Sequence, residues 1–192
     1  MAAGLALFKV ATPLLVFLKT GGTMLLSIGA YTAMGWSWQV ATGIVVLILV
    51  HEMGHFISAK FYRTPVTAPM FIPFVGAYVL LKNRPVDPWV NGIISYAGPL
   101  AGGLGGWACY FLGLTLGWPY LFTVAFWTFI LNLVNLAPIP PLDGSHIWIC
   151  FSRLRTPTMT SSERAYMGIY LAALIAGLLL GFLHSWPYMH PH

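Results

Sequence analysis

Charge is what this chain has least of. Of its 192 residues only 7% are Asp, Glu, Lys or Arg, and four of these are acids. A soluble domain carries about a quarter charged residues, so this one cannot clothe a water-facing surface. Cysteine is almost as scarce: Cys109 and Cys150 form neither a CxxC pair nor a disulfide framework, and both read as packing residues. Formal net charge is +5, yet no basic-aromatic cluster is present that would hold nucleic acid. Near the start there is no small-residue cleavage pattern, so the first helix is expected to be kept. With 58% hydrophobic residues and a mean hydropathy of +0.80, disorder, a coiled coil and a soluble enzyme are excluded together.

Long apolar runs fill the space that charge leaves. In hydrocarbon only helices and closed barrels satisfy every backbone polar group. Barrel strands alternate over roughly ten residues, whereas residues 43–50 (GIVVLILV) run apolar without alternation. The expected fold is an all-α polytopic membrane protein with about five to six transmembrane helices, forming one domain over 1–192 with its core at about 39–146. The apolar stretches lie near 22–38, 39–59, 90–116, 120–137 and 166–183, against the roughly 20 residues a spanning helix needs. Residues 1–18, interrupted by Lys9 and Pro13, fit either a surface-lying helix or an extra span. Between the second and third stretches, residues 66–82 follow Pro65 and carry Pro69, Pro73 and Gly76. That spacing rules out a regular helix, and the β-branched and aromatic residues there predict a short β-hairpin or re-entrant segment.

With five spans, every basic residue falls on one face: Lys9, Lys19, Lys60, Arg63, Lys82, Arg84, Arg153, Arg155 and Arg164. The opposite connections, 36–39, 117–119 and 185–192, contain none. By the positive-inside rule that face is expected to be cytoplasmic, with the N-terminus inside and the C-terminus outside.

Among the acids, Asp87 and Glu163 lie beside basic residues and read as solvated charge. Glu52 does not. It lies in His51-Glu52-Met53-Gly54-His55, inside the second span. On a helix, residues four apart share a face, so His51 and His55 can offer two imidazoles to one metal while Glu52 reaches a water as general base. A central charge in a span costs about 2.5–3.5 kcal/mol even on a lenient scale, so three ionisable groups there demand a compensating partner. A catalytic zinc uses three protein ligands. Asp143 is the leading candidate for the third. It follows Pro138, Pro140 and Pro141, which forbid helix and let the chain turn back. His55 is expected ~6 Å and His51 ~12 Å from the cytoplasmic end of the second span, and Asp143 just past the same end of the fourth. Glu163 is the competing third ligand, although a helix start already accounts for it.

These residues resemble the site-2 protease family of intramembrane zinc metalloproteases. Two motifs carry the resemblance: His51-Glu52-Met53-Gly54-His55 and Asn135-x-x-Pro138-x-x-Pro141-Leu142-Asp143-Gly144, with Ala97-Gly98-Pro99-Leu100 between them. The resemblance implies that His51, His55 and Asp143 bind one Zn²⁺ per chain, that Glu52 is catalytic, and that Asn135 helps hold substrate. Ser145 stands where the family usually has a second glycine, which leaves these positions intact. With no stretch to hold a PDZ or CBS domain, a minimal member of the compact prokaryotic type is expected. The substrate would be a transmembrane protein or peptide, and the setting a lipid bilayer, as a multi-pass protein of the prokaryotic cell membrane with its site toward the cytoplasm.

Other readings stay open on the residues alone. One is a membrane zincin with Glu163 as third ligand, acting at the cytoplasmic surface. Another is a zinc-binding transporter or scaffold, against which the apolar outer halves of spans three and five argue. Asn132 and Asn135 read equally as substrate-facing amides or interhelical hydrogen bonds. Gly98, Gly102 and Gly106 read as close helix packing, His146 as an interfacial or supporting histidine, and His184, His190 and His192 as having no role.

Overall fold

A computed structural model of the chain describes residues 20–72, 76–79, 81, 87–152 and 154–189. The alternatives for residues 1–18 therefore lie outside the described residues, as do Lys19, Pro73, Lys82, Arg84, Arg153, His190 and His192. Helix α1 covers 20–33 of the described chain, ending ahead of Gly35 at φ 95°. It stops short of the expected 38 because that glycine breaks the helix before Trp36.

Helix α2 runs from Trp38–Phe61, capped where Ser37 accepts from the Val40 N–H at 3.4 Å. It closes through Arg63, a non-glycine residue at φ 54°, just ahead of Pro65. The predicted hairpin follows. Strands β1 (Met70–Ile72) and β2 (Gly76–Tyr78) pair antiparallel with Met70 opposite Tyr78, and a bridge between Val66 and Leu81 extends the pairing. Strand β2 lies against α2, and the Thr20 hydroxyl of α1 donates to the Pro69 carbonyl at 2.9 Å.

Helix α3 (Pro88–Leu116) starts with an Asp87 cap and a proline in its first turn, and ends in Gly117 at φ 67°. Both ends follow the expected chemistry: proline costs nothing where the N–H has no helical partner, and glycine accepts the left-handed exit. Helix α4 (Pro119–Asn135) also has a proline in its first turn, without a side-chain cap, and ends before Pro138. A short helix α5 (Gly144–Ile149) then forms. It was not legible beforehand, since six residues carry no usable periodicity.

Helix α6 (Ser161–Ser185) opens with a capping box between Thr160 and Glu163, which carries it five residues back from the expected 166. Beneath that cap the Arg164 guanidinium donates to the carbonyls of Cys150, Thr156 and Met159 and to the Thr156 hydroxyl, locking the 150–159 connection.

Phe129, Ile147, Met167 and Leu178 form the fully enclosed centre between α3, α4, α5 and α6. A smaller cluster of Val40, Ile44, Leu47 and Val124 joins α2 to α4. Outside these, large apolar side chains are exposed on every long helix, among them Leu26, Ile57, Leu104, Leu131 and Ile169. Among the described residues, α2 and the 28-residue stretch Ser161–Tyr188 are long and apolar enough to cross a membrane. Helix α4 is apolar but has 17 residues. Helix α3 has the length, but Gly98, Gly102, Gly103, Gly105 and Gly106 dilute its hydropathy. Of the five to six spans expected, two thus meet both criteria.

Candidate metal centre

His51 and His55, one turn apart on α2, set their rings edge to face with centroids 4.9 Å apart. Their Nε2 atoms lie 3.1 Å from each other. The Asp143 carboxylate closes the triangle, with Oδ2 3.1 Å from His51 Nε2 and Oδ1 3.2 Å from His55 Nε2. Among the described residues these three form the one group of His, Cys, Asp and Glu side chains gathered tightly enough to hold a metal ion.

The opposite side of each ring decides its tautomer. His55 Nδ1–H donates to the Ile94 carbonyl of α3 at 2.8 Å. His51 Nδ1–H donates to Asn132 Oδ1 of α4 at 2.9 Å, and the amide is held that way round because its Nδ2 donates to the Thr128 carbonyl at 2.8 Å. A neutral imidazole has one N–H, so both Nε2 atoms present lone pairs to each other and to a carboxylate. Such a donor set calls for a cation. Bonds of 2.0–2.1 Å to a tetrahedral zinc separate its ligand atoms by about 3.3 Å, close to the distances here, so the residues fit the metal.

Asp143 reaches this point because the chain turns sharply after α4. The turn is fastened by Leu142 N–H donating to Ile139 O at 2.9 Å and by the Trp148 indole donating to Leu136 O at 3.0 Å. Gly144 packs directly on the Leu136 carbonyl, where no Cβ fits.

Glu52 is 7% exposed and lies beside the first histidine, and the Val79 backbone just after β2 approaches its carboxylate. It borders a cavity of about 400 Å³ together with both histidines and Asp143, with Asn135 and His146 also on the wall. Glu163 is elsewhere engaged: its Oε2 accepts from the Thr160 N–H at 2.7 Å and the Thr160 hydroxyl at 2.8 Å. His184 packs its ring tilted against Trp107 and edge-on to Tyr110 in the second half of α6.

Sequence reasoning named Asn135 for the cleft and left Asn132 undecided. Asn135 lines the cavity, and Asn132, 3% exposed, is the residue that holds the His51 ring. An amide on the inner side of an apolar helix was the available signal. The α3 glycines prove more specific than close packing. A Cβ at Gly98 would collide with the His55 ring, and one at Gly102 with the Asn132 amide. Gly54 in turn lets α2 approach Ala97 of α3 to backbone contact.

Peptidase family M50 matches residues 39–119, which includes His51, Glu52, His55 and both critical α3 glycines and stops short of Asp143. The chain is 35% identical over 82 residues to the probable zinc metalloprotease EGY1, chloroplastic, of Oryza sativa subsp. japonica, covering 40% of this chain and 14% of that protein. It is 28% identical over 114 residues to the zinc metalloprotease MJ0392 of Methanocaldococcus jannaschii, covering 53% of this chain and 31% of that protein. The matched region thus spans less than a third of either relative's length.

Proposed function

We propose that this chain, a member of the site-2 protease (M50) family, is an intramembrane zinc metalloendopeptidase that hydrolyses peptide bonds in or near transmembrane segments of membrane proteins. One observation carries the reading: two Nε2 lone pairs and a carboxylate converge within 3.2 Å beside a buried glutamate on an apolar helix. His51, His55 and Asp143 would hold the metal. Bound there, zinc supplies Lewis acidity, which polarises a carbonyl and lowers the pKa of water.

The remaining work falls to the chain's own side chains and backbone. Glu52 takes a proton from the attacking water and returns it to the departing amine. The Val79 N–H can steady that carboxylate, and β2 lies alongside the cleft. A substrate helix must unwind before attack, and its freed backbone groups need partners in an apolar medium. Strand β2 can supply them by strand addition, and the Asn135 amide can hold the same backbone from the α4 side.

Setting and orientation follow the same logic. The exposed apolar side chains on all long helices suit lipid and not water. Lys60 and Arg63 at the end of α2, Arg155, and Arg164 at the start of α6 gather at the end of the bundle that carries the site, which supports a cytoplasmic-facing centre in a multi-pass protein of a prokaryotic cell membrane. The zincin reading with Glu163 loses its ligand to the Thr160 cap. A transporter would use a polar path that the outer half of α6 does not offer.

The test is incubation of purified protein with a single-span substrate, wild type against Glu52→Gln, with and without a zinc chelator. Glu52→Gln should keep its zinc and lose about 10²–10⁴-fold in rate, and chelation should abolish cleavage until zinc is restored. Equal cleavage by both proteins would overturn the proposal.

A further inference from the structure

Among the described residues, two exposed cations at the end of α2, Lys60 and Arg63, have no carboxylate partner. The chain has four acids, and each is engaged elsewhere. Asp87 caps α3, Glu163 caps α6, and Glu52 and Asp143 lie in the centre with the two histidines. Lys60 has an ordinary explanation: its Nζ rests 5.6 Å over the Phe56 ring, and a cation suits the last turn of a helix. Arg63 does not. It holds φ 54°, in the left-handed region that glycine or asparagine enters cheaply and other residues enter at a cost. The turn is fixed by the Arg63 N–H donating to the Lys60 carbonyl at 3.0 Å and the Thr64 N–H donating to the Ala59 carbonyl at 2.8 Å.

The hairpin relates these cations to the cleft. Val66, which follows Arg63 closely in the chain, bridges Leu81, so the open end of the hairpin lies beside the end of α2. Tyr78, Val79 and Leu81 line the cavity of about 400 Å³ that also holds Glu52. A backbone paired along β2 and past Val79 therefore leaves the cleft at Leu81, toward Lys60 and Arg63. From Glu52 to Lys60 is ~12 Å along the helix axis, a distance that an extended chain covers in about four residues.

We infer that Lys60 and Arg63 form a charge filter on the substrate: they attract acidic side chains in the flank that leaves the cleft and repel basic ones. The inference rests on the proteolytic reading above and narrows its substrate. Cytoplasmic flanks of membrane proteins are enriched in Lys and Arg, so two unpaired cations here turn most spanning segments away and admit the minority with acidic or neutral flanks. Repulsion of wrong partners is a regular source of specificity. Lipid phosphate is the other anion available at the end of a bundle. The exposed Arg155, on the connection between α5 and α6, would meet it equally well, whereas Lys60 and Arg63 stand where the cleft opens.

The experiment uses the full chain with zinc in phosphatidylcholine vesicles. Single-span substrates share one transmembrane segment, carry Glu, Gln or Lys at the third to fifth residues past the cut, and compete in one tube with products read by mass spectrometry. Glu should be preferred over Lys by about tenfold at low salt, and the ratio should fall toward unity at about 1 M salt. Moving the Glu residues to the far end of the flank should abolish the preference. The double variant Lys60→Gln/Arg63→Asn, whose asparagine accepts the left-handed turn, should bring the ratio to about unity and leave the cut position unchanged. Competition within one tube makes these ratios independent of how much of a variant folds. Equal cleavage of the Glu and Lys substrates by the wild type, or a ratio unchanged in the double variant, would overturn the inference while leaving proteolysis standing. So would a rate that rises with added anionic lipid in the wild type alone and shows no preference between flanks, which would assign both cations to lipid phosphate. No cleavage of any substrate by the wild type would overturn both readings.

Discussion

Each imidazole in the centre is governed by the atom on its far side. Because Asn132 and the Ile94 carbonyl take the Nδ1 protons, both Nε2 atoms are kept for a metal, and the orientation of each ring is set before any ion arrives. Outer partners of this kind are typically worth 10–100-fold in metal affinity. Asn132→Ala should therefore weaken zinc binding by about that range in a competition assay, and Asn132→Asp, which still accepts from His51, should retain most of it. Equal affinity in wild type and Asn132→Ala would contradict the assignment. Asp143→Ala should leave the purified protein short of zinc by elemental analysis, whereas Glu163→Ala should not. Legibility divides along the same line. The His51/His55 pair was readable because four residues on a helix fix a shared face, and Asp143 because charge counting put it at the same end. The Asn132 contact spans 81 residues of chain, so it was not available from spacing.

Among the elements, α3 contributes space more than chemistry. Its glycines form slots for the His55 ring and the Asn132 amide, so adding a single methyl there has to move His55 or Asn132. Gly98→Ala should destabilise the fold by about 1–3 kcal/mol, in line with overpacked sites, and lower zinc affinity as well. Thermal unfolding with and without zinc separates the two effects. Strand β2 offers a second test. Val79→Pro removes the backbone N–H that faces Glu52, so the rate should fall while zinc content holds. The glycine spacing was visible in the sequence, but which side chains fill the slots was not. The hairpin was visible through its prolines and β-branched residues. The extra turns of α6 were hidden because its first residues are polar and held by a cap, not by an apolar face.

At the level of the whole molecule, the orientation can be checked with introduced thiols. Burial pushes the native Cys150 thiol up to about 11, so it stays protonated and slow toward maleimide at neutral pH; Cys109 is replaced by Ala. In oriented vesicles, Arg155→Cys should be labelled from the cytoplasmic side and Trp118→Cys from the other. Labelling of both from the same side would rule out the proposed topology. A cavity of about 310 Å³ among α1, α2 and α4 adds a further link between distant parts. Its outer boundary includes Tyr31 of α1, and the base of that helix is tied to the hairpin by Thr20 and Pro69. A displacement of α1 would therefore carry the cavity wall and the hairpin together, so the two are mechanically coupled.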